Sequence, residues 1–377
     1  MNRVVVISYT EAGAQLNKRI SCYLAESGDV AVSCRYGEDF HATKDLLRQE
    51  WRRTSAFIFV GAVGIAVRHI APLLEDKLHD PAVLAADEQG GFVIPVLSGH
   101  IGGGVALARN VADMLDAQAV ITTATDVRNC FEVDVFAKDN HLLFPDPTAI
   151  RKISSAVLRG EKIEVRTQIP ISGTVPAGVT VYQETYATES DCTNDSGPDC
   201  HDMTHDVRIR YADKAEIYRM PLCPYIVGIG CKKGKSGEEL LEMLAQICVR
   251  YGIGLSRIAA LTSIDLKKEE TGIWELSRKL SVPYEVFSAE ELEQTAGSVN
   301  ASAFVKQTVG VDNVCERSAL CLARQWSGAD IGKDSGKEHC PESAEQNGSY
   351  ELLVTKQARD GITIAIARFY PAAYRWQ

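Results

Sequence analysis

No stretch of this 377-residue chain is apolar for long enough to span a bilayer. Its longest run, near residues 56–67, falls well short of the ~20 residues a spanning helix needs. The opening residues, Met1-Asn2-Arg3-Val4-Val5-Val6-Ile7, lack the pattern of a signal peptide and read as a first strand. Positive charge is in deficit: 40 Lys and Arg stand against 50 Asp and Glu, a formal net charge of −10. That balance argues against a nucleic-acid partner held through its phosphates. It also means that an anionic ligand needs a local basic patch. A paired set of cysteines is missing as well. Eleven is an odd count, and without a secretion signal it reads as reduced thiols in a cytoplasmic protein. Heptads and internal repeats are absent, and no G-x-S-x-G elbow surrounds Ser98, so a serine hydrolase of that type is not expected.

What is present is ordinary for a globular protein: 45% hydrophobic and 24% charged residues, with enough length for two or three domains. Strand and helix patterns alternate along the first part. Strands are expected over 4–7, 30–34, 56–60, 82–86, 92–96 and 119–123, and helices over 14–25, 44–51, 65–74 and the stretch after Gly104. Asp87-Glu88-Gln89-Gly90-Gly91 marks a turn between two of those strands. The alternation predicts an α/β fold with a mostly parallel sheet, and in such sheets ligands sit beyond the carboxyl ends of strands. Residues 131–224 differ, forming a small α+β region with strands over 163–165 and 179–183. A second α/β pattern begins at Tyr225. The expected organisation is therefore an N-terminal α/β domain (1–130), a middle region (131–224) with a polar insertion at 184–206, and a C-terminal α/β domain (225–377) with another at 328–348.

The run Val96-Leu97-Ser98-Gly99-His100-Ile101-Gly102-Gly103-Gly104 carries the strongest chemical signal. A strand leads into a glycine loop with one histidine, and a helix follows, with Val105, Ala108, Val111, Ala112 and Leu115 at helical spacing. Helix-start amides can face an anion, glycines admit close approach, and an imidazole moves protons near neutral pH. Thr122-Thr123-Ala124-Thr125-Asp126 closes the next strand. Gly228-Ile229-Gly230-Cys231-Lys232-Lys233-Gly234-Lys235-Ser236 approaches a nucleotide-binding P-loop but misses it by one residue, since Ile229 stands where glycine is required. What survives is a basic turn, read either as an anion cradle or as a solvated surface. Arg68, His69 and Lys77 add positive charge, and Glu75, Asp76, Asp80 and Asp126 are acid or base candidates, with Asp126 preferred at its strand end. Cys192, Cys200, His201 and His205 fit no usual zinc spacing, so no metal site is assigned. Lysines could lower the pKa of Cys231, but a small buried thiol is the simpler reading.

Taken together, these segments resemble the CbiG family, the cobalt-precorrin-5A hydrolases of anaerobic cobalamin biosynthesis. The likeness rests on Gly61-Ala62-Val63-Gly64-Ile65-Ala66-Val67-Arg68, Ile70-Ala71-Pro72-Leu73-Leu74-Glu75-Asp76-Lys77, Asp80-Pro81-Ala82-Val83, Leu97-Ser98-Gly99-His100-Ile101-Gly102-Gly103 and Ile121-Thr122-Thr123-Ala124-Thr125-Asp126. In the C-terminal part it rests on Gly228-Ile229-Gly230-Cys231, Leu261-Thr262-Ser263-Ile264-Asp265-Leu266-Lys267, Phe287-Ser288-Ala289-Glu290-Glu291-Leu292, Val305-Lys306 and Lys356. The resemblance implies opening of a δ-lactone on a cobalt tetrapyrrole and release of acetaldehyde to give cobalt-precorrin-5B. It implies no separate cofactor, because the cobalt travels with the substrate. It further implies a polycarboxylate small-molecule substrate and transient contact with other enzymes of that pathway, with no nucleic acid and no membrane.

Residue chemistry alone assigns the roles. His100 is the general base, Asp126 orients it or a water, and the amides of Gly102 and Gly103 stabilise the oxyanion. Arg68, Lys232, Lys233 and Lys356 hold peripheral carboxylates, while Ser98, Gly99, Thr123, Cys231 and Asp265 complete the binding set. Two other readings stay open: a non-catalytic corrinoid carrier, and a nucleotide-dependent enzyme built on the near-P-loop.

Overall fold

The computed structural model describes residues 3–27, 29–35, 40–75, 80–100, 102–128, 130–144, 147–184, 205–211, 217–295, 313–328 and 348–376. Lys77, Asp76, Ile101, Cys192, Cys200, His201, Val305 and Lys306 lie outside them, as do nearly all of both polar insertions. The chain divides into two compact units, 1–129 and 130–377.

The first unit contains β1 (Arg3–Ser8), α1 (Glu11–Glu26), β2 (Val30–Arg35), α2 (Phe40–Glu50), β3 (Ala56–Val60), α3 (Val63–Ile70), β4 (Ala82–Ala86), β5 (Phe92–Leu97), α4 (Gly104–Leu115), β6 (Gln118–Ala119) and α5 (Ala124–Arg128). They build one six-stranded sheet in the order β2-β1-β3-β4-β5-β6. Its central strands read as unbroken apolar runs because both faces are covered. Val4, Val6, Ile58 and Val60 face Leu16 and Ile20 of α1 and Ala108 and Val111 of α4. Val5, Ile7, Phe57 and Phe59 face Leu47 of α2 and Ala66 and Ile70 of α3. The strands β1 to β4 run parallel, whereas β5 is antiparallel to β4 and parallel to β6. The strand expected over 119–123 shrinks to the two residues of β6, because the chain leaves this edge to start α5.

The second unit opens with α6 (Val133–Asp139), α7 (Pro147–Leu158), β7 (Ile163–Thr167), β8 (Ile171–Ser172), β9 (Val179–Gln183), β10 (Val207–Tyr211) and β11 (Tyr218–Met220). It continues with β12 (Tyr225–Cys231), α8 (Gly237–Tyr251), β13 (Ile258–Ile264), α9 (Thr271–Leu280), β14 (Tyr284–Phe287), α10 (Ala289–Glu293), α11 (Val314–Ser327), β15 (Ser349–Arg359), β16 (Ile362–Tyr370) and β17 (Tyr374–Arg375). A four-stranded sheet has the order β11-β10-β7-β9, a five-stranded sheet the order β14-β13-β12-β16-β15, and β17 pairs with β8. In the larger sheet β12, β13 and β14 are parallel, and β16 runs against β12. The β15–β16 hairpin turns at Asp360 and Gly361, both at positive φ as a tight primed turn requires. Leu240 and Leu244 of α8 and Trp274 of α9 pack with Val227, Ile229 and Leu261 in the core.

Helix α11 lies so close to β12 that a Cβ on Gly228 would fall 1.8 Å from the Cys315 carbonyl oxygen. Gly228→Ala therefore forces backbone apart and is expected to cost about 3 kcal/mol or more. Gly64→Ala, whose Cβ meets nothing within 4 Å, is expected to be neutral or to stabilise by about 0.5 kcal/mol. Thermal and denaturant unfolding of the two variants distinguishes them, and equal losses would contradict the packing.

The His141 ring stacks on Trp326 at 3.7 Å and meets Phe369 edge-on at 5.6 Å. Burial lowers its pKa from 6.5 to about 4. Between those values the unfolded chain binds the proton and the folded chain does not, so stability falls as pH falls. The loss from neutral pH to below pH 4 is about 3 kcal/mol. NMR titration should find His141 neutral at pH 5, and a protonated ring there would refute the assignment.

Candidate functional site

The hairpin between β4 and β5 decides where the histidine loop lies. Asp87 accepts from the amides of Gln89 and Phe92 at 3.1 and 2.6 Å, and Gly90 sits at φ 72°. The chain thus reverses, and Leu97 at the end of β5 comes beside Val83 near the start of β4. The expectation that the loop lies beyond the carboxyl ends of parallel strands is corrected: it lies at the edge where β1 to β4 begin. The Ser98 hydroxyl donates to the Asp80 carbonyl at 3.0 Å at that edge. The Asp80 carboxylate is itself a structural anchor, accepting from the Trp51 indole at 3.3 Å and the Glu75 amide at 3.0 Å. Glu75 in turn pairs with Arg52.

Ser98 has φ 52°, and the loop folds back on it so tightly that a Cβ on Gly102 would lie 2.5 Å from the Ser98 Cβ. The following amides are consumed locally. Gly103 donates to the His100 carbonyl at 2.9 Å, Gly104 to Ser98 at 3.1 Å and Val105 to Gly99 at 2.9 Å. The assignment of the Gly103 amide to an oxyanion is therefore corrected, since its hydrogen closes the loop. Among the described residues, no carbonyl accepts from the Gly102 amide.

The His100 side chain is 15% exposed, and its Nε2 stands 3.9 Å from Oδ2 of Asp126. This is too long for a hydrogen bond and short enough for a strong electrostatic influence. The Asp126 carboxylate, only 5% exposed, is held by two other groups. Thr123 donates its hydroxyl to Oδ2, and Arg109 of α4 donates to Oδ1 at 2.8 Å. Ser98, Gly99, His100, Gly102, Thr123 and Asp126 are thus brought into one neighbourhood. Arg109 belongs to it and escaped sequence reading, because a lone arginine on an exposed helix face resembles any solvated charge.

Arg68 is exposed on α3, which packs on the face of the sheet opposite α4. Its neighbour His69 is not a source of charge: burial and Lys44 lower its pKa, and its ring stacks with Tyr9 and Phe59.

The lysine turn belongs to the second unit. Cys231 ends β12, Lys232 and Lys233 follow it, Asp265 follows β13, and Lys356 lies in the half of β15 at that same edge. Burial pushes the Cys231 thiol up to about 11, which supports a protonated thiol. Carboxylates of the protein itself take part of the expected anion cradle. The Gly234 amide donates to Glu270 at 2.8 Å, and the Gly237 amide to Glu275 at 3.0 Å. Ser236 and Glu239 form a capping box, with Lys235 on Glu239 at 2.7 Å. The amides of Gly234, Ser236 and Gly237 are therefore engaged within the protein and are not offered to a phosphate. Lys232 and Lys233 remain exposed, as does Asp265. The Lys356 amide donates to the buried Glu316 at 2.6 Å. From the zinc candidates, His205 stacks on Tyr370 at 4.1 Å.

Asp126→Ala strands Arg109 and Thr123 without their acceptor and is expected to cost about 1–3 kcal/mol. Arg109→Ala removes a side chain that is 55% exposed and should cost under about 1 kcal/mol. Chemical denaturation of both variants measures the difference. A larger loss for Arg109→Ala would show that Asp126 is not the hub.

Family models match a stretch in each of the two units. The model for the cobalamin synthesis G N-terminal domain matches residues 45–126, and that for the cobalamin synthesis G C-terminus matches residues 225–367. A cobalt-precorrin-5A hydrolase from Salmonella typhimurium is 33% identical over 339 residues, covering 85% of this chain and 92% of that protein. One from Priestia megaterium is 30% identical over 301 residues, covering 77% of this chain and 79% of the relative. The crystal structure of CobE, a protein from the cobalamin (vitamin B12) biosynthetic pathway, is 29% identical over 38% of this chain and 89% of its own, with a TM-score of 0.32. Matches at both ends, in order and across most of the chain, show that it belongs to the CbiG family of cobalamin synthesis.

Proposed function

We propose that the protein is a cobalt-precorrin-5A hydrolase: it opens the δ-lactone of the cobalt tetrapyrrole and releases acetaldehyde to give cobalt-precorrin-5B. The observation that carries this reading is the likeness, over 92% of that protein's length, to the Salmonella enzyme of that name. Cys22, Cys130, Cys223, Cys231, Cys248, Cys315 and Cys321 are free thiols. No described helix is long and apolar enough to cross a membrane.

The chemistry asks for a base and a donor. His100 takes a proton from water as the oxygen attacks the lactone carbonyl. The Gly102 amide, left over by the loop's internal bonding, donates to the oxyanion. Collapse breaks the acyl–oxygen bond, leaving a carboxylate and a hydroxyl. A base then takes the hydroxyl proton as the carbon–carbon bond breaks. Acetaldehyde departs, and the electron pair stays on the electron-poor macrocycle, so no cofactor beyond the substrate's own cobalt is called for. Asp126, fixed by Thr123 and Arg109, supplies a stationary negative charge beside the imidazolium formed on the way. The exposed Lys232 and Lys233 of the second unit suit the carboxylates of such a substrate, in a chain that otherwise repels them.

Incubation of the lactone substrate with purified protein, with acetaldehyde trapped and quantified, tests the reading. Turnover by wild type and a loss of about a hundredfold or more in His100→Ala are expected. A spectral change without acetaldehyde would mark the protein as a carrier, and near-normal turnover by a folded His100→Ala variant would remove the histidine from the mechanism.

A further inference from the structure

The four-stranded sheet ends on β9, and among the described residues no strand lies beyond it. Backbone parity decides which groups that edge presents. The Ile163 amide donates to the Gly178 carbonyl and the Glu184 amide to the Thr167 carbonyl, both at 2.9 Å. Even-numbered residues of β9 thus face β7, while Val179, Val181 and Gln183 point their backbone groups away from it. The Val179 amide turns back to the Pro176 carbonyl at 3.2 Å. The edge therefore offers the carbonyl of Val179 and both the N–H and C=O of Val181 and Gln183.

Strand β9 differs from every other sheet edge among the described residues. β2 ends on Arg35, β14 carries Glu285, and β15 carries Glu351, Lys356 and Arg359 with two shifts of register. β11 has three residues including Arg219, while β6, β8 and β17 have two each. Charge, irregularity and shortness are the devices that keep sheet edges from pairing. The run Val179-Thr180-Val181-Tyr182-Gln183 has none of them: it is five residues long without charge or proline, and all but Gln183 are strong strand formers. Val179 and Val181 are only half-buried, yet they stand in register with Ile163 and Val165, which are 1% and 0% exposed. The apolar layer is thus left partly uncovered along β9. Tyr182 is exposed on the other face, with Arg166 4.9 Å from its ring.

We infer that β9 is a homodimer interface, where a second copy of the chain adds its own β9 antiparallel about a two-fold axis at Val181. A two-fold interface must be self-complementary, and this strand is. Val181 meets Val181, Thr180 meets Tyr182 and Val179 meets Gln183, so no charge opposes a like charge. Because Val181 points its backbone outward, it faces its counterpart in a hydrogen-bonded pair. Two bonds form there, and each Gln183 amide donates one more to the Val179 carbonyl of the second copy. The two four-stranded sheets then join, and both open edges disappear. The residues that follow β9 suit the edge less well: between 189 and 202 the sequence holds five acids, a glycine and a proline, types depleted in strands. A strand of five residues is a small contact, so the dimer is weak and reversible.

Sedimentation velocity of the full chain from about 1 to about 500 μM measures the association. The mass should rise from one chain toward two, and hydrogen exchange of the peptide spanning 179–183 should slow over the same range. Val181→Pro removes an N–H that faces away from β7, so the ladder within the chain survives. It should raise the dimer Kd at least about tenfold. Val181→Lys, which sets a charge on the edge, reports the same loss should proline disturb the strand. A wild-type chain that stays monomeric at about 500 μM would overturn the interface. So would a dimer whose Kd neither variant changes, since it joins through another surface. Slow exchange at 179–183 that is independent of concentration would show the edge already paired within one chain, and it too would overturn the proposal.

Discussion

Asp87 folds its carboxylate over the amides of Gln89 and Phe92, and the chain reverses there. Everything chemical in the first unit follows from that reversal. With β5 running against β4, the glycine-histidine loop arrives beside residue 80 instead of the opposite edge, and the Ser98 hydroxyl reaches the Asp80 carbonyl. That anchor places Ser98 in the left-handed region, where its carbonyl accepts from Gly104 and starts α4. Helix α4 then carries Arg109 to Asp126. A short acceptor turn thus sets the direction, the loop sets the histidine, and the helix sets the carboxylate's partner.

Both units spend backbone amides at helix starts on internal acceptors. In the first, the loop's own carbonyls close the beginning of α4. In the second, Glu239, Glu270 and Glu275 occupy the amides that follow β12. The helix-start field remains at both places, but its hydrogen-bond donors are largely engaged. In the proposed function, recognition of the substrate's carboxylates is accordingly given to exposed side chains such as Lys232 and Lys233, whose long stems adapt to several acceptors.

Much of the architecture was legible. Val4-Val5-Val6-Ile7 and Ala56-Phe57-Ile58-Phe59-Val60 are apolar on both alternating sets, which only a strand covered on two faces demands. The glycine-histidine loop, the helix after it and Asp126 were visible as a strand-to-helix passage of small and polar residues. Arg109 was not, because its role depends on the carboxylate that packs beside it and on no pattern of its own. His69 read as a charge beside Arg68, yet its environment of Tyr9, Phe59 and burial keeps it neutral.

The order of apolar and polar residues determined, by itself, which segments became strands and helices, where glycines were obligatory and which short run held the histidine, since these depend on local sterics and periodicity. Tertiary structure alone decided which edge of the sheet received that run, which amides were already taken, and that Glu270, far along the chain, fills the turn after β12. The physical reason is that hydrogen-bond donors and charges are claimed by whatever comes close in space, and proximity between distant segments is written in no local pattern.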